Sequence, residues 1–299
     1  MVSCNRTMTS PKISIVIPTR NRLELLRRAI QSVLGQTEQN FEVIVVDDGS
    51  TDGTPAYLET LSKNEPRIKK VCNVHPKGGA VARNIGIAMS AGKWIAFLDD
   101  DDEWLPEKLN LQLAALATAP SAVACSSPYY RRRSTGEIEL VRIPEAISVE
   151  DLFLGSVMGG ASVCICDAET LKRIGGFDLS FRSGQDWDLW TRLRQVGKIV
   201  TCSAPTVLYA AHDGVRISKD MSAQYQGARR FYFKYRKDMT LGMRIHRVAY
   251  LCFIKSRQRE RGACRRLTYL ILAMSRAKVG LATRYMLSSL PRLIKDAIA

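Results

Sequence analysis

Short apolar segments alternate with helical patterns over the first 120 residues of this 299-residue chain. Segments with the length and composition of buried strands lie at 13–18, 41–46, 68–71 and 94–98. Helical patterns follow at 23–34, after the Thr54-Pro55 cap signal, at 80–89 and at 106–119. Alternation at this spacing predicts an α/β fold with βαβ units, in which a mostly parallel central sheet is flanked by helices.

Acidic residues follow two of these predicted strands. Asp47 and Asp48 come after the second strand, and four consecutive aspartates at 99–102 follow the fourth. Ligands of parallel sheets bind outside the carboxyl ends of the strands, so both groups are expected at one site. Carboxylate oxygens suit Mg²⁺ or Mn²⁺, and such ions often also hold substrate phosphates. The alternative for 99–102 is a solvated acidic loop before the next helix.

The pattern changes after residue 120. We predict a hairpin of strands 122–130 and 138–143, a strand at 162–166 and a turn at 175–178. Trp187, Leu189, Trp190 and Leu193 give one helix an apolar face. The last strand-like stretch is 199–209, where Pro205 argues against a central strand.

The chain carries its positive charge at one end. Residues 215–299 hold 20 Lys and Arg against 4 Asp and Glu, whereas residues 1–214 are nearly neutral. We therefore predict a boundary near 215 and a basic, mostly helical C-terminal region at 215–299. That region suits an anionic membrane surface. A solvated helical cap on the first domain and non-specific nucleic-acid binding are the alternatives, although no recognised nucleic-acid motif is present.

Other bulk features bound the class of protein. No run of 18 apolar residues occurs, so we expect no transmembrane helix, and polar residues 1–12 lack the apolar core of a secretory signal. The eight cysteines form no metal-binding spacing, which fits a reducing cytosol. We expect a cytoplasmic protein that can associate peripherally with the membrane.

Five ordered motifs carry a family resemblance. They are Pro18-Thr19-Arg20-Asn21, Val46-Asp47-Asp48-Gly49-Ser50-Thr51-Asp52, Arg83-Asn84, Phe97-Leu98-Asp99-Asp100-Asp101-Asp102 and Gln185-Asp186-Trp187-Asp188-Leu189-Trp190. The ordered set resembles family 2 glycosyltransferases, which are inverting, nucleotide-sugar-dependent enzymes with a GT-A fold. The resemblance implies a catalytic domain at 1–214, with nucleotide-sugar binding at about 12–120 and the acceptor side at about 121–214.

The resemblance implies a set of donor-binding residues. Asp47 and Asp48 would bind the uracil and ribose, with Pro18, Thr19 and Arg20 beside the nucleoside. Arg83 would lie near the donor, where its planar guanidinium suits the diphosphate. From the residues alone, the Asp47 segment is also explained by a simple Asx-turn, and Arg83 by a surface charge on a helix.

The resemblance also implies a divalent cofactor, Mn²⁺ or Mg²⁺. The family's DxD motif maps onto Asp99-Asp100-Asp101, with Asp101 as the direct ligand, Asp99 on the ribose or the metal and Asp100 on the donor side. The register is open by one residue, and Asp102 is either a second ligand or a helix cap. His212 corresponds to a histidine that some relatives place near the diphosphate or metal.

Asp186 takes the family position of the general base. Gln185 replaces the usual first acid of the pair, which should leave the pKa of Asp186 less raised by like-charge repulsion. The alternative makes Asp186 an exposed acid at a helix start, favoured by the helix dipole. We expect Asp188 to be structural.

These expectations combine into one function. The chain would transfer a hexosyl or N-acetylhexosaminyl group from a nucleotide sugar, with a UDP-sugar favoured, to a hydroxyl of a glycan or lipid-linked acceptor. No specific nucleic-acid partner is expected. Two alternatives remain: a nucleotidyltransferase of similar fold, which residues 19–22 disfavour because they lack glycine, and a non-catalytic membrane-tethered binding module, which Gln185 favours.

Overall fold

A computed structural model describes residues 11–133, 135–209 and 220–258, except for the side chains of 256–258. The strands of these ranges are β1 (Ile13–Thr19), β2 (Phe41–Asp47), β3 (Ile68–Cys72), β4 (Trp94–Phe97), β5 (Asp102–Trp104), β6 (Ala122–Ser126), β7 (Tyr129–Arg132), β8 (Ile138–Val141), β9 (Ile165–Asp167), β10 (Lys198–Thr201) and β11 (Val207–Tyr209). The helices are α1 (Leu23–Leu34), α2 (Thr54–Asn64), α3 (Gly79–Met89), α4 (Lys108–Ala117), α5 (Val149–Leu154), α6 (Ala168–Arg173), α7 (Gln185–Val196), α8 (Met221–Tyr235) and α9 (Leu241–Gln258).

Two sheets organise the fold. The central sheet has seven strands in the order β10-β6-β9-β4-β1-β2-β3, and only β9 runs antiparallel to its neighbours. A smaller sheet has the order β5-β11-β7-β8. The predicted α/β class with a mostly parallel central sheet is confirmed.

Apolar residues on both faces of the central sheet form the core. Helix α1 buries Leu26, Ala29, Ile30 and Val33, a spacing that puts one apolar stripe against the sheet. Helix α3 approaches β1 closely because Gly86 has no side chain: a Cβ there would lie 2.3 Å from a methyl carbon of Val16.

Proline divides two of the predicted strands. The segment predicted as a strand at 122–130 breaks at Pro128, so that β6 joins the central sheet and only β7 forms the hairpin with β8. The segment 199–209 divides into β10 and β11, with Pro205 between them. Proline lacks the backbone N–H that hydrogen-bonding between strands requires. At each of these two prolines the chain therefore leaves the central sheet and enters the smaller one.

The C-terminal helices of the described ranges pack on the first domain. The rings of Trp187 on α7 and Phe231 on α8 stack at 3.9 Å between centroids, and the Arg247 guanidinium of α9 lies 4.2 Å from the Trp187 ring centroid. Tyr235 and Met239 belong to the same apolar cluster as Trp187. The division of the chain near 215 stays a prediction, but α8 and α9 share a core with the part before it.

The helical character predicted after residue 219 is found up to Gln258. No helix in the described ranges has the length and apolar content that crossing a membrane requires. The densest arginine cluster of the basic region, at 257–266, lies outside the residues whose side chains are described.

Candidate active site

A cavity of about 1040 Å³ opens at the carboxyl ends of the central parallel strands. It brings together most of the predicted site residues, namely Pro18, Thr19, Arg20, Asp48, Arg83, Asp99, Asp100, Asp101 and Asp186. These residues come from five segments that are far apart in sequence. Asp47 is not part of the lining, and His212 lies outside the described residues.

Asp48 is held in a network of donors at the end of β2. Its Oδ1 accepts hydrogen bonds from Asn73 Nδ2 at 2.9 Å and the Lys77 backbone N–H at 2.8 Å, and its Oδ2 accepts one from Gly78 N–H at 2.7 Å. Burial alone would raise the pKa of Asp48, but these bonds and the charge of Arg20 lower it below the usual value. Asp48 is therefore an ionised acceptor fixed at the cavity wall.

Asp47 has a different role in this structure. It is the last residue of β2, it is buried, and its Oδ1 accepts the Ser50 backbone N–H at 2.9 Å. This side chain therefore stabilises the turn after β2, as the Asx-turn alternative describes. Its contact with a nucleoside stays a prediction.

Three of the four consecutive aspartates converge. Asp99, Asp101 and Asp102 each offer a carboxylate oxygen, and these atoms lie within 4.8 Å of one another. Asp102 begins β5 and its Oδ2 accepts the Ser162 hydroxyl at 2.6 Å, so it does not cap α4. Three converging carboxylates fit the oxygen donor set that Mn²⁺ or Mg²⁺ takes.

Asp100 points toward β1 and α1. Its carboxylate accepts the Thr19 hydroxyl at 2.8 Å and Arg22 Nη1 at 2.9 Å. Burial raises the pKa of Asp100 to about 6, although Arg22 and Thr19 act in the opposite direction. Arg22 Nη1 also lies 3.3 Å from an oxygen of Asp101, so this arginine bridges the two neighbouring acids.

Asp186 lies in the first turn of α7. Its Oδ1 is buried and has no hydrogen-bond partner within the described structure. Burial raises the pKa of Asp186 to about 6; Arg83 lowers it and Asp99 raises it. A carboxylate at the cavity wall with a raised pKa and one unpartnered oxygen can accept a proton from a bound hydroxyl. These features disfavour the solvent-exposed helix-start interpretation.

Arg83 lies between Asp186 and the converging carboxylates of Asp99, Asp101 and Asp102, here called the metal-type cluster. Its Nη2 bonds Asp99 Oδ1, and its guanidinium lies 5.3 Å from the Phe177 ring centroid. Burial alone would lower the pKa of Arg83, but Asp99 and Asp186 together raise it. The Arg83 side chain is largely buried at the cavity wall, which disfavours the surface-charge alternative; its contact with the donor stays a prediction.

Asp188 is fully buried. Its carboxylate accepts hydrogen bonds from Arg192 Nε at 2.8 Å, Lys234 Nζ at 2.7 Å and the Tyr235 hydroxyl at 2.8 Å. Two of these partners belong to α8, so the side chain joins α7 to α8. The prediction that Asp188 is structural is consistent with this geometry.

Several cavity residues were not predicted from the sequence. Arg22 directly precedes α1, and the Tyr209 hydroxyl accepts the Gly160 N–H at 3.0 Å. Behind the cavity wall, the buried Ser162 hydrogen-bonds Asp102 and the Asp99 backbone. Arg131, Arg132 and Arg182 also line the wall. Only the run Arg131-Arg132-Arg133 stood out in the sequence, and as part of a turn.

Comparison with known proteins assigns the family. The family model for glycosyl transferase family 2 matches residues 14–173. TuaG of Bacillus subtilis, a glycosyltransferase assigned to teichuronic acid biosynthesis, is 31% identical over 192 residues, which is 64% of this chain and 75% of TuaG. An uncharacterized glycosyltransferase of Rickettsia conorii is 34% identical over 65% of this chain, and the match spans only 32% of that longer protein.

A third relative has a detailed name. WfgD of Escherichia coli, a UDP-Glc:alpha-D-GlcNAc-diphosphoundecaprenol beta-1,3-glucosyltransferase, is 39% identical over 104 residues, 35% of this chain and 40% of WfgD.

Solved structures share the fold. Staphylococcus aureus TarS 1–349 in complex with UDP-GlcNAc superposes with a TM-score of 0.65 at 18% identity, over 82% of this chain and 72% of that one. The mannosyltransferase PcManGT of Pyrobaculum calidifontis, in complex with GDP-Man and Mn²⁺, gives a TM-score of 0.64 at 20% identity, over 95% and 81%. The predicted GT-A fold is confirmed, and with the match over residues 14–173 the chain belongs to glycosyl transferase family 2.

Proposed function

We propose that this protein is a metal-dependent inverting glycosyltransferase that moves a sugar from a UDP-sugar to a hydroxyl of a glycan or lipid-linked acceptor. One observation carries the proposal: the unpartnered oxygen of Asp186 and the converging carboxylates of Asp99, Asp101 and Asp102 belong to one cavity. A base and a metal-type cluster in one cleft are the two elements that this reaction needs.

The comparisons support the substrate classes. TarS binds UDP-GlcNAc, and the printed name of WfgD gives a UDP-sugar donor and a diphosphoundecaprenol-linked acceptor. A Campylobacter jejuni relative, 41% identical over 101 residues, is also a glucosyltransferase acting on a sugar attached to PP-undecaprenol. We extend these classes to this chain: a UDP-sugar and an acceptor of the lipid-linked kind.

The chain's own residues divide the work. Asp48 would accept donor N–H or O–H groups at the nucleoside end, beside Pro18 and Thr19. Asp99, Asp101 and Asp102 would hold Mn²⁺ or Mg²⁺, which when bound neutralises charge on the leaving nucleoside diphosphate. The Arg83 guanidinium between Asp99 and Asp186 is a second fixed positive charge near the leaving group.

Asp186 would complete the reaction on the acceptor side. The acceptor oxygen attacks the anomeric carbon, the bond from that carbon to the diphosphate oxygen breaks, and the Asp186 carboxylate takes the hydroxyl proton. Attack opposite to the leaving group inverts the anomeric configuration. Gln185 donates its amide N–H to the Phe181 carbonyl at 2.8 Å, so the residue in place of the usual acid holds the start of α7.

Asp186→Asn tests the base. The amide is close in size to the carboxylate but cannot take the proton, so we expect kcat to fall about 10²- to 10⁴-fold while UDP binding persists. Glu150→Gln, the same change at an exposed position of α5, is the matched control. Turnover that survives unchanged in Asp186→Asn would refute the assignment. Wild-type protein that binds a UDP-sugar but never transfers it would favour the non-catalytic alternative.

Membrane association is the second part of the proposal. The excess of cations at 215–299 is complementary to an anionic surface. Helix α9 adds exposed apolar side chains at 73% for Leu241, 46% for Ile245 and 43% for Val248. Their spacing places them on one face of the helix. We propose that this face contacts the cytoplasmic side of a membrane that carries the acceptor.

A further inference from the structure

Six arginines line the cavity, and they differ in their partners. Arg22 pairs with Asp100 and Asp101, Arg83 pairs with Asp99, and Arg20 acts on Asp48. The other three are Arg131, Arg132 and Arg182. Within the described part of the chain, no carboxylate lies at ion-pairing distance from any of these three. Their positive charge is therefore available to an anionic ligand.

The three arginines belong to the part of the chain expected to bind the acceptor, and strand pairing locates Arg131 relative to the aspartates. Strand register aligns Asp102 of β5, Tyr209 of β11 and Arg131 of β7 across three neighbouring strands. At the usual strand spacing, the Arg131 backbone is about 10 Å from the Asp102 backbone. That offset from the metal-type cluster is comparable with the length of one sugar ring and the phosphate attached to it.

Arg131 is connected to the base through aromatic contacts. Its Nη2 donates to the Tyr129 hydroxyl at 3.0 Å, and the Tyr129 ring lies edge-on to Tyr209 at 4.6 Å between centroids. The Tyr209 hydroxyl accepts the Gly160 N–H, and a Cβ on Gly160 would lie 3.7 Å from Asp186 Oδ2. Arg131 and Asp186 therefore belong to one continuous wall.

Arg182 extends from a segment that is firmly held. The preceding residue, Phe181, is buried, with Arg230 and Lys234 of α8 within 5.5 Å and 5.3 Å of its ring centroid. On the other side, α8 approaches so closely that a Cβ on Gly227 would lie 2.1 Å from the Ser183 carbonyl oxygen. Arg182 itself is exposed and faces the cavity. Its position is thus fixed while its guanidinium is free to bind.

We propose that Arg131, Arg132 and Arg182 form a second anion subsite, which binds the diphosphate of a prenyl-diphosphate-linked acceptor. The inference rests on the proposed function, because it assumes that donor and acceptor share this cavity. Mn²⁺ or Mg²⁺ held by Asp99, Asp101 and Asp102 would offset part of the charge of the donor diphosphate. Three further guanidinium groups match the second, doubly charged diphosphate, which they can contact in bidentate fashion.

The experiment fills the donor site first. Calorimetry measures UDP binding with Mn²⁺, and then titrates geranyl diphosphate into protein already saturated with UDP and Mn²⁺. We expect one further site on the wild-type protein, with geranyl monophosphate weaker and geraniol weaker still. Arg132→Ala and Arg182→Ala should each raise the Kd for geranyl diphosphate about tenfold or more, because each removes a charge-assisted contact. UDP affinity should stay the same.

Arg133→Ala is the matched control. Arg133 belongs to the same arginine run but pairs with Glu139 at 2.9 Å and does not line the cavity. The inference is overturned if geranyl diphosphate only competes with UDP, or if the two cavity variants bind it as the wild type does. Failure of the wild type to bind UDP, with or without Mn²⁺, would instead overturn the proposed function.

Discussion

The pKa of Asp186, the proposed base, sets the pH range over which the proposed reaction can run. Asp186 can accept a proton only when ionised, and its pKa lies at about 6 because burial disfavours the charge. We therefore expect log(kcat/KM) to rise with pH below about 6 and to level off above it. A pH–rate profile measured at saturating metal checks this. A profile that falls through the same range would mean that a protonated group is needed instead.

Arg83 adjusts that pKa through its charge. It is the neighbour that lowers the pKa of Asp186, so Arg83→Met should raise that pKa and move the midpoint of the pH–rate profile to higher pH. The midpoint is the informative quantity, because a loss of rate alone would also follow from weaker donor binding. Arg133→Met, outside the cavity, should leave the midpoint in place. An unmoved midpoint in Arg83→Met would contradict the electrostatic coupling.

Sequence patterns locate carboxylates better than their partners. Asp48, Asp99 and Asp101 follow the ends of parallel strands and line one cavity, as the strand pattern predicts; Asp186, assigned from the family resemblance, joins them from the start of α7. The sequence did not show which of Asp47 and Asp48 lines the cavity. Successive side chains of a strand point to opposite faces, and the sequence does not say which face each of the two residues takes. The position of Tyr209 in the cavity depends on the pairing of β11 with β5 and β7, and no local sequence pattern predicts that pairing.

Among the elements, α7 and α8 are joined by one buried carboxylate, beside the stacked rings of Trp187 and Phe231. Asp188 is the shared acceptor for Arg192, Lys234 and Tyr235. Asp188→Ala would leave the mostly buried Arg192 without a carboxylate partner and Lys234 with only Asp178, so we expect a loss of about 3 kcal/mol in the free energy of unfolding. Tyr235→Phe removes only one neutral donor and should cost about 1 kcal/mol. Urea denaturation of the two variants measures both, and equal losses would contradict the charge argument.

The long, strongly patterned elements of the first half were the predictable ones. Strands β1 and β2 and helices α1 and α3 each fall within a few residues of their predicted bounds. The predicted helix at 106–119 begins later, at Lys108, and ends at Ala117. The second half was less predictable because β6 to β11 divide between two sheets. Pro128 and Pro205 indicate where strands break, but not which sheet each piece joins.

On the scale of the whole molecule, the metal-type cluster predicts that UDP and the divalent ion strengthen each other's binding. UDP should raise the melting temperature much more with Mn²⁺ than with EDTA, because ligands that bind only the folded state stabilise it. Turnover should stop in EDTA and return with Mn²⁺ or Mg²⁺. Asp101→Asn should weaken the Mn²⁺ effect, whereas Glu103→Gln should not, since Glu103 lies outside the cluster at 3.7 Å from Arg28. Full activity in chelator would exclude the metal role.

The uneven distribution of charge predicts where the molecule meets a membrane. Removing everything after 215 is a poor test, because Phe231 and Tyr235 pack against Trp187 and Phe153 in the core. Glutamine at Leu241, Ile245 and Val248 together changes only the exposed face of α9. We expect this variant to bind anionic vesicles at least about tenfold more weakly, because it loses the apolar contact with the membrane that acts together with the attraction of the basic residues.

Val196→Gln is the matched control, because Val196 is 48% exposed on α7, away from this face. Vesicle co-sedimentation at low and high salt separates the apolar contribution to binding from the electrostatic one. High salt should strongly weaken vesicle binding by the wild type, because it screens the attraction of basic residues to the anionic surface. Wild-type protein that does not bind anionic vesicles, or a triple variant that binds them as the wild type does, would assign the exposed face of α9 to another contact and leave the reaction chemistry of the cavity untouched.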